Sequence, residues 1–296
     1  MTLSFAWGVL LALAAAAIWA LAPVLYRRSL DHVSSLELGA LRTIGSVAGA
    51  ALFLAWREGL PAFSPPPLPL LAAIVVSSTV WLVVGDFLYF LALPRLGVSI
   101  GVPFTSAYPL LAVPASWIFL GEPFRPIVFL ATLLIVAGLV LLTLRLDEEK
   151  GDGKSLTAGL LFAFGTICCW SFGIITNRLL MGHIAVAGLE WWRALSVLAG
   201  SWIVYALGER DKRPLGRIGG RLLFEILLSG LLGLTVGNLF FTYSMNHVSV
   251  DVATCIASLR PFLAALFAVV VLGESFSLRK GAAIALVVSG ALLLSF

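Results

Sequence analysis

Apolar residues in this chain neither alternate nor keep to one helical stripe; they run on. The sequence falls into ten stretches rich in Leu, Ala, Val, Ile, Phe and Gly. Their approximate cores are 4–26, 35–56, 68–92, 99–120, 126–144, 156–179, 188–207, 220–244, 251–271 and 279–295. Charges, prolines and glycines gather in the breaks, at 27–32, 57–67, 94–97, 121–126, 145–154, 181–187, 208–220, 245–250 and 272–277. A helix crossing a bilayer core needs about 20 consecutive apolar residues. A membrane β-barrel would alternate apolar and polar positions, and the run 10–22 does not. The pattern predicts an all-α integral membrane protein of ten transmembrane helices.

Composition sharpens this. Charged residues make up 11% of the chain and hydrophobic ones 60%, with a mean hydropathy of +1.06. A soluble domain carries about 25% charged residues, so a soluble globule is excluded. Ten spans of about 22 residues would leave about 8 for each connection, too few for an extramembrane domain. The first stretch has no basic region before Trp7 and stays apolar to about Tyr26. It is therefore expected to span rather than to act as a cleaved leader. Cys168, Cys169 and Cys255 all lie in apolar runs and suggest neither a disulfide framework nor a zinc set. The net charge of +4 comes from loop bases and suits lipid headgroups better than nucleic acid.

The chain also repeats. At a spacing of 151 residues Trp19 matches Trp170, His32 matches His183 and Arg42 matches Arg193. At 152, Gly85 matches Gly237, Tyr89 matches Phe241, Pro109 matches Pro261, and Gly121-Glu122 matches Gly273-Glu274. Two five-helix units are expected, at 1–148 and 155–296. Because five is odd, each unit enters the membrane from the side opposite to the other. Inverted repeats of this kind characterise secondary transporters, with a site near midplane where the copies meet. Orientation follows from the bases. Arg57, Arg125 and Arg178 lie on the side of the termini, against thirteen Lys and Arg in the opposite connections, which places the termini outside by the positive-inside rule.

Within the spans, polar residues carry the candidate chemistry. An arginine at a helix centre costs about 2.5–3.5 kcal/mol to insert, so it needs a partner or a polar cavity. Arg260 directly precedes Pro261, which should kink helix 9 near Ala257 and free a carbonyl there. The guanidinium then either binds an anionic or zwitterionic substrate or ties down the kink. Its mate Tyr108, before Pro109, either stacks on a substrate or packs. Asp86, mate of Asn238, is a site for proton coupling or the partner of an arginine. Arg42 and Arg193 are expected to snorkel or to pair with acids, and Glu190 is spaced to share a helix face with Arg193. Asn177 and Arg178 are expected at the interface. Trp19 and Trp170 either line a cavity or pack between helices. Gly121 and Gly273 suit helix ends with positive φ, and Glu122 and Glu274 suit the N-termini of helices 5 and 10.

The stretch Gly151-Asp152-Gly153-Lys154-Ser155 lacks the first glycine of a phosphate loop, since Glu148 stands there. No HExxH is present, so no catalytic residue, cofactor or metal is expected, and no ATPase chemistry.

The sequence resembles the drug/metabolite transporter superfamily, in its EamA-like ten-helix branch. The resemblance covers about 4–144 and 156–295. It is carried by Trp170-Ser171-Phe172-Gly173 with Trp19, by Arg42 and Arg193, and by Gly85-Asp86-x-x-Tyr89 with Gly237-Asn238-x-x-Phe241. The proline followed twelve residues later by Gly-Glu, at Pro109 and Pro261, completes it. It implies export or exchange of a small polar or amphipathic metabolite, amino acid-like, by alternating access. The family arrangement places both termini in the cytoplasm, against the count of bases, and Arg260 before Pro261 departs from its pattern. Helices 1, 3, 4, 6, 8 and 9 are expected to wall the cavity, with Arg260, Tyr108, Asp86, Asn238, Tyr89, Phe241, Trp19 and Trp170 facing it. Pro109, Pro261, Arg42, Arg193, Glu122 and Glu274 would shape or gate it. The expected partners are a small-molecule substrate and the lipid bilayer of the cell membrane. Nucleic acid and an ATPase subunit are not expected, and a monomer would suffice. Alternatives are proton-coupled efflux of cationic drugs, a membrane-embedded enzyme acting on lipid-linked substrates, or a scaffold without a transport cycle.

Overall fold

The computed structural model describes residues 3–30, 32–143, 153–209, 218–263 and 278–293. The described residues are helical, with no strand among them. In the first repeat, α1 (Leu3–Leu30) and α2 (Ser35–Glu58) are followed by α3 (Leu68–Ser78), a π-helical turn (Thr79–Val84) and α4 (Gly85–Ser106). Then come α5 (Pro109–Phe119) and α6 (Pro126–Thr143). The second repeat contains α7 (Gly153–Leu180), α8 (Val186–Gly208), α9 (Gly220–Gly230), a second π-helical turn (Leu231–Val236) and α10 (Gly237–Ser244). It continues with α11 (Val250–Ala257) and ends with α12 (Leu278–Leu293).

Among the described residues five stretches are long and apolar enough to cross a membrane: Leu3–Leu21, Ser35–Glu58, Leu68–Leu96, Leu156–Leu180 and Gly220–Ser244. Phe104–Phe119 and Pro126–Gly138 are shorter apolar helices. Their outer faces carry large exposed apolar side chains such as Leu52, Ile118, Leu161 and Phe224. This is the pattern expected where lipid, rather than water, is the solvent.

Two prolines act as the sequence predicts, more sharply than a kink. Helical structure stops at Ser106, turns through Ala107 and Tyr108, and restarts with Pro109 as its first residue. Proline is suited to that position because no N–H is needed there. In the second repeat α11 stops at Ala257, and helical backbone resumes at Arg260 and Pro261.

The connection expected at 94–97 takes a different form. Helical backbone runs through Gly85–Ser106, yet a Cβ built on Gly101 would lie 3.8 Å from Leu93 Cα. Eight residues of straight helix would separate them by about 12 Å. The chain therefore doubles back within α4, and Phe104 packs beside Ala92 and Leu96.

Elements of the two repeats pack crosswise. α2 lies on α8, α6 on α12, α4 on α7, and α1 on α10 and α11. Glycines permit the closest approaches. A Cβ on Gly230 would overlap the Arg42 carbonyl, one on Gly45 the Leu227 carbonyl, and one on Gly173 the Trp81 ring.

Candidate functional site

The two π-helical turns sit at equivalent places, each immediately before a Gly-Asp or Gly-Asn pair. In the second, the Gly237 N–H reaches back to the Leu232 carbonyl rather than to Gly233. Trp19, from α1, donates its indole N–H to the Gly233 carbonyl at 2.9 Å. Its ring lies over Gly237, where a Cβ would come within 2.5 Å of Nε1, and 5.4 Å from the Phe241 ring. In the first turn Gly85 N–H bonds the Val80 carbonyl in the same way. Trp170, from α7, lies over Gly85 and donates instead to Asp86 Oδ1 at 3.0 Å. Each repeat thus sends a tryptophan into the glycine-lined notch after the other's π turn. π-Helical turns recur at functional sites, and no local signal in the sequence foretells these two.

Asp86 is fully engaged. Its Oδ2 accepts from Arg42 Nη2, an ion pair whose side chains are 4% and 13% exposed. Arg42 also lies over the Phe90 ring at 5.0 Å. A narrow crevice between α2, the first π turn and α8 reaches this pair, with Ser35, Gly39 and Ser201 on its walls. In the second repeat Asn238 replaces the acid and donates its amide to the Leu234 carbonyl at 2.9 Å. Arg193 therefore pairs elsewhere, with Glu190 at 2.7 Å and with Asn177 Oδ1. Asn177 in turn donates to Thr242 Oγ1 at 3.1 Å. Asn177 is fully buried, so it is a core residue and not the interfacial one the sequence suggested.

Arg260 stands apart. It is half-buried, at the restart of the broken helix, and donates Nε–H to Ser106 Oγ at 3.0 Å. Its guanidinium carbon lies 4.6 Å from the Trp170 ring centroid and 5.8 Å from that of Tyr108. Nη2 is buried and has no hydrogen-bond partner, and no carboxylate pairs with Arg260 among the described residues. Tyr89 packs against Trp170, with ring centroids 5.3 Å apart. Tyr108 is held by its hydroxyl on the Thr254 carbonyl, 3.4 Å away, and by Ser171 donating to its own carbonyl at 3.2 Å. Two helix breaks, one from each repeat, thereby meet around one cation and three rings.

The eight cavity candidates divide into two groups. Arg260, Tyr108, Trp170, Tyr89 and Asp86 form one connected cluster. Trp19, Phe241 and Asn238 form a second, tighter one, and Phe241 is completely buried.

At the end bearing the termini the repeats are tied by charge. Gly121 closes α5 with φ +67°, as its position predicts. Glu122 does not serve the helix that follows it. Its carboxylate instead accepts from Val250 N at 2.7 Å and Asp251 N at 3.4 Å, capping α11 of the other repeat. Arg125 adds an ion pair to buried Asp251 at 3.1 Å and a bond to Ser249 Oγ at 2.8 Å. The equivalent positions to Arg125 and Asp251 are Ser277 and Ser99, so this ion pair has no mate. Gly273 and Glu274 lie outside the described residues. No cluster of three metal-ligating side chains occurs among the described residues.

The EamA-like transporter family model matches residues 6–144 and 157–296. The chain belongs to that family. It is a multi-pass membrane protein. A curated relative named as an uncharacterized transporter of Archaeoglobus fulgidus is 27% identical over 97% of both chains. A second, the uncharacterized transporter YvbV of Bacillus subtilis, is 31% identical over 48% of this chain and 47% of its own. A solved crystal structure, 24% identical, superposes with a TM-score of 0.81 over 98% of both chains and supports the fold alone.

Proposed function

We propose that this chain is a secondary transporter that moves a small polar or amphipathic metabolite by alternating access. In this reading the repeats, 1–148 and 155–296, each contribute five helices, with the second inverted relative to the first. The reading is carried by the crosswise exchange of Trp19 and Trp170 into equivalent notches of the opposite repeat. Connections from both repeats meet in pairs: Ser4 bonds His247, Glu122 caps Val250, and Ser34 bonds Glu209. The substrate lies between the broken helices, against Arg260, Tyr108, Trp170 and Tyr89. Asn238, Trp19 and Phe241 form the packed counterpart that opens in the opposite state.

Pro109 and Pro261 fix the breaks, and Arg42 and Arg193 brace the helices around them. Glu122 holds one end closed in this state. An enzyme would require converging acid, base or nucleophile groups, and the membrane-embedded acids Asp86 and Glu190 are both paired with arginine. A single polypeptide working without a cofactor or an ATPase suffices for this cycle.

Flux in proteoliposomes tests the site, screened over amino acids, carboxylates, sugar phosphates and cationic drugs. Arg260→Ala should abolish transport of the solute that wild type carries. Undiminished flux in that variant would refute the assignment.

A further inference from the structure

Among the described residues, the Arg260 cluster holds a positive charge without a counter-ion, and this bears on what can occupy it. A cation within a span persists where it has a partner or a polar occupant. Arg42, Arg125 and Arg193 each face a carboxylate, on Asp86, Asp251 and Glu190 respectively. Among the described residues Arg260 bonds the Ser106 hydroxyl alone, and its buried Nη2 has no acceptor. Leaving a charged donor unsatisfied is among the costlier defects a folded protein can keep. A ligand oxygen removes that defect.

The surroundings also restrict the remainder of the ligand. An ammonium group is held best by a carboxylate or an open aromatic face. The acid of this cluster, Asp86, has both oxygens engaged, by Arg42 and by the Trp170 indole. The Trp170 face is already covered by the Arg260 guanidinium at 4.6 Å, and a second cation placed there would be repelled by the first. The rings of Tyr108, Tyr89 and Trp170, buried in this state, would meet an uncharged body through apolar and edge contacts where the two breaks part.

Resting on the transporter reading of this site, we infer that the cargo is an organic anion. A carboxylate engages Arg260, and an apolar or aromatic body lies against Tyr108 and Tyr89. Zwitterions and cations of the same shape are discriminated against.

Three probes share one skeleton and differ in charge: 3-phenylpropanoate, phenylalanine and 2-phenylethylamine. Binding to the purified full-length protein is read by the melting temperature and by tryptophan fluorescence, since Trp170 lies under the guanidinium. The anion should bind, and the zwitterion and the cation should bind at least roughly 10-fold more weakly. Arg260→Gln should weaken the anion roughly 10–100-fold, while Arg260→Lys, which keeps the charge, should retain part of the affinity. The ligand-free melting temperature of each variant separates lost binding from lost folding.

Tighter binding of phenylalanine or 2-phenylethylamine than of 3-phenylpropanoate would overturn the inference. So would an anion affinity unchanged in Arg260→Gln. Flux separates this inference from the transporter reading. Arg260-dependent anion binding without passage across a proteoliposome membrane would sink the transporter reading alone. Passage of the zwitterion or the cation independent of Arg260 would sink the anion inference and the site assignment while leaving the transporter reading standing.

Discussion

The pair between Arg42 and Asp86 gives a sharp test of how the site is braced. Replacing Asp86 by asparagine, the residue at the equivalent place in the other repeat, nearly preserves volume. An amide oxygen can still accept from Trp170 Nε1, which now bonds Asp86 Oδ1 at 3.0 Å. What disappears is the charge opposite a guanidinium whose side chain is only 4% exposed. Removing one partner of a buried ion pair costs about 3–5 kcal/mol, because the other charge is left uncompensated. Replacing both partners with apolar groups of similar volume is often nearly neutral. Asp86→Asn should therefore lower stability by about 3–5 kcal/mol, and Asp86→Asn with Arg42→Met should recover most of the loss. Reversible unfolding in mixed micelles, followed by tryptophan fluorescence, measures both. Arg221→Ala is the internal control, since its pair with Glu225 has a side chain 87% exposed, and it should change stability by no more than about 0.5 kcal/mol. A loss under about 1 kcal/mol in the single variant would refute the reasoning, as would a double variant no better than the single.

Other consequences can be checked with the same assay. Gly230→Ala drives a methyl into the Arg42 carbonyl and should cost about 1–3 kcal/mol or more, whereas Gly219, with nothing within 4 Å of its Cβ position, should tolerate alanine. Glu122→Ala removes the cap from α11 and should cost about 0.5–2 kcal/mol, although the substituted residue lies 128 positions away from Val250. Trp19→Phe leaves the Gly233 carbonyl without its indole donor while keeping the ring over Gly237, and should cost about 1 kcal/mol.

Much of this was legible in the sequence, where the controlling physics is local. Uninterrupted apolar runs fixed the helical membrane class. Pro109 and Pro261 stopped helices because a missing N–H and a bulky ring act within one turn. Gly121 took positive φ for an equally local reason. What stayed hidden depends on residues far apart in the chain. Asp86 is readable as the partner of an arginine and Arg42 as the partner of an acid, but spacing along one helix does not show that they find each other across 44 positions. By contrast Glu190 and Arg193, three residues apart, were readable as a pair. Glu122 was assigned to the helix that follows it because the tertiary neighbour it caps comes from the other repeat. The π turns arise where Trp19 and Trp170 cross them, so neither has a signature within its own six residues. Asn177 was placed at an interface from its position near a helix end, and its burial against Arg193 and Thr242 could be seen only once the helices had packed.

The central claim is that the repeats traverse the membrane in opposite senses. His32 and His183 are equivalent residues 151 positions apart, and both are exposed. Single cysteines at each, in a chain with Cys168, Cys169 and Cys255 replaced by alanine, can be treated in intact cells with a membrane-impermeant maleimide. The account predicts that one of the two is labelled from outside and that the other is labelled only after permeabilisation. Labelling of both from the same side would contradict it.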